Sequence, residues 1–425
     1  MNKEVAKMRR EYRKGITRRS FMKGAGMAAL TLGFFGPRGR ESLAAEPIKL
    51  GQITPSTGFL AQMGWYANHG ALLAVDETNA AGGIMGRKVE LILEDEVNPG
   101  VAVQKARKLI EKDKVHAIQG TVSSACALAV GDVVQRAKVV FVNTGSNSDE
   151  IRNNRCHRYV FSTEGCNTQY VSTIGNWLIK NKKFNRWYFI TSDYAFGHDL
   201  LRVSRKLLQQ NKGTELGSEL VPTGSTDFSS YLLKIKNAKP DTVFQNLAGT
   251  DQTNFYKQYR EFGLPFPLAG GVCDTAPAWQ AGVGNVLGMF PLLWYHTINQ
   301  ESKAWAEKFK NLYGKIPENQ AWTDYVGTKC ILGAIASARS TDGVKIGQAL
   351  EKFKIDCLKG RELYFRAWDR QLMQPMYVVR GKTREESSDK ETDIFEVVEE
   401  IPGKNESLTA IAIPDSDNKC KAEPW

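Results

Sequence analysis

Residues able to do covalent or metal chemistry are thinly spread through this 425-residue chain. The five histidines (His69, His116, His157, His198 and His296) show no HExxH or other metal-ligand spacing, and no GxSxG nucleophile elbow occurs. Gly24-Ala25-Gly26-Met27-Ala28-Ala29 has the glycine spacing of a dinucleotide site but follows no strand. Gly381-Lys382-Thr383 lacks the upstream glycine of a phosphate loop. The chain is therefore expected to be no enzyme and to carry no cofactor or metal. What remains is the chemistry of reversible binding. Thr121-Val122-Ser123-Ser124 runs directly into an expected helix. Free backbone N–H groups, the positive dipole end and serine hydroxyls there would hold a carboxylate. The same serines would serve equally well as helix N-caps.

The elements that must position such loops alternate regularly. Ile48–Ile53, Val89–Leu93, His116–Gln119 and Val139–Val142 read as strands. Between them lie helical segments: one carrying Ala71, Ala74, Val75 and Thr78, one opened by Asn98-Pro99, and one over Ala125–Arg136. The βα alternation restarts after Thr163, with strands expected at Trp187–Thr191, Leu216–Val221, Thr242–Asn246 and Phe266–Leu268. Later helices follow near Lys303–Tyr313, Asp324–Ser337 and Ile346–Phe353, and final strands at Leu363–Ala367 and Met376–Val379. Repeated βα units with short apolar strands imply parallel sheets covered by helices, hence an α/β fold of two Rossmann-like lobes. In open sheets of this kind ligands bind beyond the C-terminal strand ends, so the loops after strands are the places to search.

Residues 1–45 stand apart. A basic stretch, an apolar run of about 13 residues (Gly24–Gly36) and the small residues Ser42-Leu43-Ala44-Ala45 have the order of an export signal, too short to span a membrane. Thr17-Arg18-Arg19-Ser20-Phe21-Met22-Lys23 resembles a twin-arginine signal. This segment holds eleven Lys/Arg against three Glu, so of the net charge of +11 only +3 belongs to the remainder. That is too little for a nucleic-acid binder. The seven cysteines form no CxxC, and Cys156 and Cys166 flank an expected strand (His157–Thr163) that holds them too far apart to bond. Most cysteines are expected as buried small hydrophobes. From about Gly381 onward the composition is charged and reads as a solvated extension with one strand at Ile394–Val398.

Several segments together resemble one family. They are Lys49–Gly58 (KLGQITPSTG), Asn79–Arg87 (NAAGGIMGR), Gly120–Ser124, Asp193-Tyr194-Ala195-Phe196-Gly197, Glu261–Leu264 and Arg366–Gln371. In order and spacing they are similar to type I periplasmic binding proteins, in particular the branched-chain amino-acid-binding (Leu/Ile/Val-binding) group with its amide, urea and aromatic-acid relatives. The resemblance runs from Ile48 to Gly381. It implies two lobes joined by three hinge crossings, here 46–165 plus 288–357 and 166–287 plus 358–380, with 381–425 as a charged C-terminal extension. It implies a monomeric periplasmic substrate-binding component of an ABC importer, partnered by an inner-membrane permease and ATPase. The ligand would be a small carboxylate-bearing solute, a branched-chain or other amino acid. An aromatic acid, an amide or urea ligand, or a sensory role are the alternatives. Carried over by position, Ser123 and Ser124 would bind the carboxylate, and Gly145, Ser146 and Asn147 would contact the ligand after the fourth strand. Ser56 would lie in the first loop, Tyr194 or Phe196 would cover the apolar side, and Asp274 would meet an ammonium. Trp65, Trp279 and Trp294 are candidates for either cleft or packing.

Overall fold

Runs of Val, Ile and Phe too short for helices form the central strands here, buried because helices cover both faces of the sheets, while the edge strands carry polar residues. The computed structural model describes residues 46–422 and 424–425; the expected export signal lies outside them. The chain begins β1 (Ile48–Thr54), α1 (Ala61–Ala80), β2 (Val89–Asp95), α2 (Pro99–Glu111), β3 (Ala117–Gly120), α3 (Ser124–Ala137), β4 (Val140–Asn143) and β5 (Val160–Ser162). These strands pair in the order β2-β1-β3-β4-β5, every pair parallel.

The second lobe repeats the plan with α4 (Asn167–Trp177), β6 (Arg186–Ser192), α5 (Ala195–Gln210), β7 (Thr214–Val221), α6 (Ser229–Ala238), β8 (Thr242–Asn246), α7 (Gly249–Glu261), β9 (Leu268–Gly270), α8 (Thr275–Ala281) and β10 (Gly288–Leu292). The chain then returns to the first lobe as α9 (Gln300–Tyr313), α10 (Asn319–Ala338) and α11 (Gly343–Leu350). A small antiparallel sheet follows: β11 (Lys354–Ile355), β12 (Leu363–Phe365) and β13 (Leu372–Met373). Finally β14 (Met376–Gly381) and β15 (Phe395–Ile401) add antiparallel edges to the second sheet, whose order is β15-β14-β10-β9-β8-β6-β7. The lobes are thus joined between β5 and α4, between β10 and α9, and between β13 and β14.

Two features differ from expectation. The crossing expected at 287/288 falls beyond Leu292, because β10 pairs with β9 and β14 inside the second sheet. Pro291 hid this strand. It is tolerated because pairing with β9 ends at Met289, one residue before Phe290 and two before the missing N–H. Residues 381–425 are not a solvated tail. Ile394 and Phe395 are buried while the charged residues of β15 face outward, so the charge marked only one face of an edge strand. Beyond it Cys420 forms a disulfide with Cys156, and Trp425 packs edge-on against Tyr159, 5.2 Å away, beneath Arg158. The terminal segment is therefore a strap from the second sheet back to the first lobe. The other five cysteines are buried and free.

Helix α10 lies against α1 so closely that a Cβ on Gly70 would stand 2.0 Å from the Ala321 carbonyl oxygen. Gly70→Ala is expected to cost about 1–3 kcal/mol of stability through overpacking, read by denaturant unfolding. Opening the strap with Cys420→Ser is expected to cost about 2–4 kcal/mol in the same assay, with no further loss on adding a reductant.

Candidate ligand-binding cleft

The C-terminal strand ends of the two sheets face each other, and the lobes touch across them. Thr250 N donates to Phe59 O at 3.1 Å, and Asp149 N donates to Asp199 Oδ2 at 2.7 Å. The Phe59 and Tyr194 rings meet edge-on at 5.9 Å, and Tyr66 and Trp279 at 6.2 Å. Gly249, at φ +58°, makes this approach possible: a Cβ there would lie 2.2 Å from Phe59 O.

The expected site residues divide by what they already hold. Ser123 is the N-cap of α3, yet its hydroxyl makes no capping bond. Instead Ser123 N and Val122 N donate to Glu96 Oε1 and Oε2 at 2.6 and 2.8 Å. Ser124 is fully buried, and its Oγ accepts from Ser148 N at 3.2 Å. The helix start therefore does seat a carboxylate, but one supplied by the protein. Gly145 lies against Gln320, where a Cβ would come within 2.7 Å of the carboxamide. Ser146 Oγ pairs with Thr121 Oγ1. Asn147 Nδ2 donates to Glu164 Oε1 and to Gly165 O at the first crossing. Ser56 is exposed, its N–H bound to Asp95 Oδ1. Phe196 is buried in the core beneath α5, whereas Tyr194 reaches toward the first lobe. Asp274 is buried at the start of α8, its Oδ2 accepting from Gly249 N. Of the tryptophans, Trp65 and Trp279 line a groove of ≈ 690 Å³ beside the cleft, and Trp294 is core.

Three acids were not anticipated: Glu96, Glu164 and Glu318. Glu96 stands directly after β2, at a strand end the βα reading already made visible. Glu318 caps α10 through Gln320 N, and Glu164 sits in the first crossing and accepts from Tyr170 OH. Neither carries a motif. Burial pushes the Glu96 carboxyl up to about 8, helped by the charges of Asp95 and Asp324 and opposed by the two α3 amides. Burial likewise lifts Glu164 to about 7 and Asp274 to about 6, and raises Glu318 well above the carboxylate range. The acids also act on one another, Asp274 raising both Glu164 and Glu318. Among the described residues no Lys or Arg ion-pairs with the Glu96, Asp274 or Glu318 side chain. Arg152 and Lys359 act on Glu164 alone of the four. The cleft floor is an acidic, dehydrated surface flanked by tyrosines.

Two facing α/β lobes with a strand-tip cleft have the architecture of solute-binding receptors. The chain belongs to the periplasmic binding protein family, matching it over residues 47–389. It is 29% identical over 335 residues to Leu/Ile/Val-binding protein homolog 7 of Brucella suis biovar 1, a span covering 74% of this chain and 84% of that one. It is similar to a periplasmic binding protein from Burkholderia mallei (TM-score 0.81, 27% identity, 88% of this chain and 98% of that one). It is also similar to an amino acid ABC transporter substrate-binding protein from Pseudomonas fluorescens Pf-5 (TM-score 0.79, 25% identity, 89% and 100%). The α/β two-lobe class and the resemblance to the Leu/Ile/Val-binding group both hold.

A carboxyl whose pKa is raised by folding contributes stability below its unfolded value and loses it as pH climbs through the folded value. The ligand-free protein is thus expected to melt at lower temperature as pH rises from about 5 to about 8. Glu96→Gln should flatten that slope, removing roughly 5 °C of the change. The group is faced by Asp95, Asp324, Tyr194 and Cys126. Thermal unfolding of both proteins across this range, in matched ionic strength, reads the difference.

Proposed function

We propose that the protein is the periplasmic receptor of an ABC importer, capturing an amino acid or related small solute between its lobes and presenting it to a permease and ATPase. The observation that carries this reading is the buried strand-tip cleft to which both lobes contribute side chains. The solute-binding relatives support it, as does the order of basic, apolar and small residues at 1–45, which fits export by the twin-arginine route and periplasmic action as a monomer.

The mechanism is a population shift. Open and closed arrangements interconvert about the three crossings, and a ligand that touches both lobes favours closure by its extra contacts in that state. In this reading Tyr194 covers the ligand's apolar side and Asp274 meets its amino group. Ser123, Ser124, Gly145, Ser146 and Asn147 shape the first-lobe wall, and Ser56 stays at the rim.

Mass spectrometry of co-purifying solutes, followed by thermal-shift and calorimetric titration, tests the proposal. A ligand is expected to bind saturably, to be recovered unchanged, and to raise the melting temperature. Tyr194→Ala is expected to weaken it roughly tenfold, about 1.4 kcal/mol, with little change in the unliganded melting temperature. Turnover of the ligand, or no saturable binding of amino acids, aromatic acids or amines, would sink the receptor assignment.

A further inference from the structure

We infer that the cleft is built for a ligand carrying more positive than negative charge: an organic amine met by Glu318 and Asp274, and requiring no carboxylate at the start of α3. This rests on the reading of the cleft as the ligand site and narrows its substrate class.

The first reason is occupancy. Val122 N and Ser123 N, the two amides that lead into α3, are bonded to both oxygens of Glu96, and Ser124 Oγ accepts from Ser148 N. A ligand carboxylate seated on these two amides would have to expel Glu96 and then lie beside it, two acid groups competing for the same donors in a dry site. The second reason is balance. Glu96, Glu164, Asp274 and Glu318 are each at most 9% exposed; Asp274 and Glu164 act on Glu318 and Asp274 acts on Glu164, while Glu96 is faced by Asp95 and Asp324. Tyr194 lies within the influence of Asp274, Glu96 and Asp251 together. Burying several carboxylates demands protons or a counter-cation. Ion pairs from the described residues do not supply one to Glu96, Asp274 or Glu318.

Independent features point to an occupant. Thr275, directly after Asp274, is 1% exposed and its hydroxyl has no hydrogen-bond partner. The same holds for Ser192 Oγ at the tip of β6, two residues before Tyr194. Buried hydroxyls are normally satisfied; Ser192 ends β6 and Thr275 opens α8 directly after Asp274. The adjoining groove of ≈ 690 Å³ is walled by Trp65, Tyr66 and Trp279, and the Tyr66 hydroxyl feels the Glu318 charge. Aromatic faces beside carboxylates favour an ammonium and its hydrocarbon body. The outer rim of the groove mixes Lys310, Lys315 and Lys390 with Asp389 and Glu391, so the acid excess is confined to the cleft floor. Among the described residues no three His, Cys, Asp or Glu come together as metal ligands, which favours an extended organic cation over a metal ion.

The test is calorimetric titration of the mature protein with matched series: 3-methylbutylamine, leucine and 4-methylpentanoate; 2-phenylethylamine, phenylalanine and 3-phenylpropanoate; and 1,5-diaminopentane. The expected order is amine tightest, zwitterion next and acid weakest, with at least a tenfold gap between amine and acid. Glu318→Gln is expected to weaken the amine at least tenfold, and if that variant fails to fold, Asp274→Asn reads the same effect. An acid or zwitterion binding as tightly as its matched amine would overturn this inference and leave the receptor assignment standing. So would amine affinity unchanged in the variant. Saturable binding of no member would overturn the receptor assignment and this inference with it.

Discussion

Bringing the lobes together places carboxylates where water cannot reach them. A buried ionised carboxylate is tolerated only with hydrogen-bond donors or a positive partner. Glu96 has donors, the two free amides at the start of α3. Glu318 has one from its own helix and Asp274 one from Gly249. None of the three has a cation among the described residues. In the proposed reading, closure is therefore coupled electrostatically to whatever enters the cleft, and to protons when nothing positive does. That coupling can link a small solute to a motion of two large bodies, because only interactions that differ between open and closed states shift their balance.

The rest of the fold keeps the two acidic surfaces aligned. Arg152, fully buried, donates to Ser148 O, Glu164 O and Gln371 Oε1, tying the loop after β4 to the first crossing and to the segment before β13. Ser162 N donates to Arg370 O, and Arg370 Nε to Val160 O, so the chain's last return runs along β5. The strap ending in Cys420 and Trp425 adds a covalent connection on this lobe. In the proposed mechanism motion is left to the three crossings, while register within each lobe is held by mainly parallel ladders, with antiparallel pairing at one edge of the second sheet.

Much of the scaffold could be read in one dimension. Strands β1 to β4 and β6 to β8 are local runs of apolar residues bounded by turn residues, and the helices between them show their face in their spacing. Strand β10 escaped, and β15 was expected only as one strand within a solvated extension, each for a local reason. Pro291 suggests a break, and the Glu-rich face of β15 suggests solvent. Strand β10 is placed by partners distant in sequence, Tyr377–Arg380, and β15 by its antiparallel pairing with Met376–Gly381. The Cys156–Cys420 bond, its ends 264 positions apart in sequence, had no local sign at all.

The sequence by itself determined the α/β class, the two-fold repetition and the loops in which a site had to lie, because strand period, helix period and turn chemistry are local properties. It also marked the start of α3 as a place for an anion, which follows from helix geometry alone. Only the tertiary structure decided which anion sits there. The distance from Glu96 to Val122 and Ser123, and the meeting of Asp274 with Glu164 and Glu318, depend on how β2 lies beside β1 and how one lobe closes on the other. Electrostatic interactions depend on separation in space, and separation along the chain does not fix it.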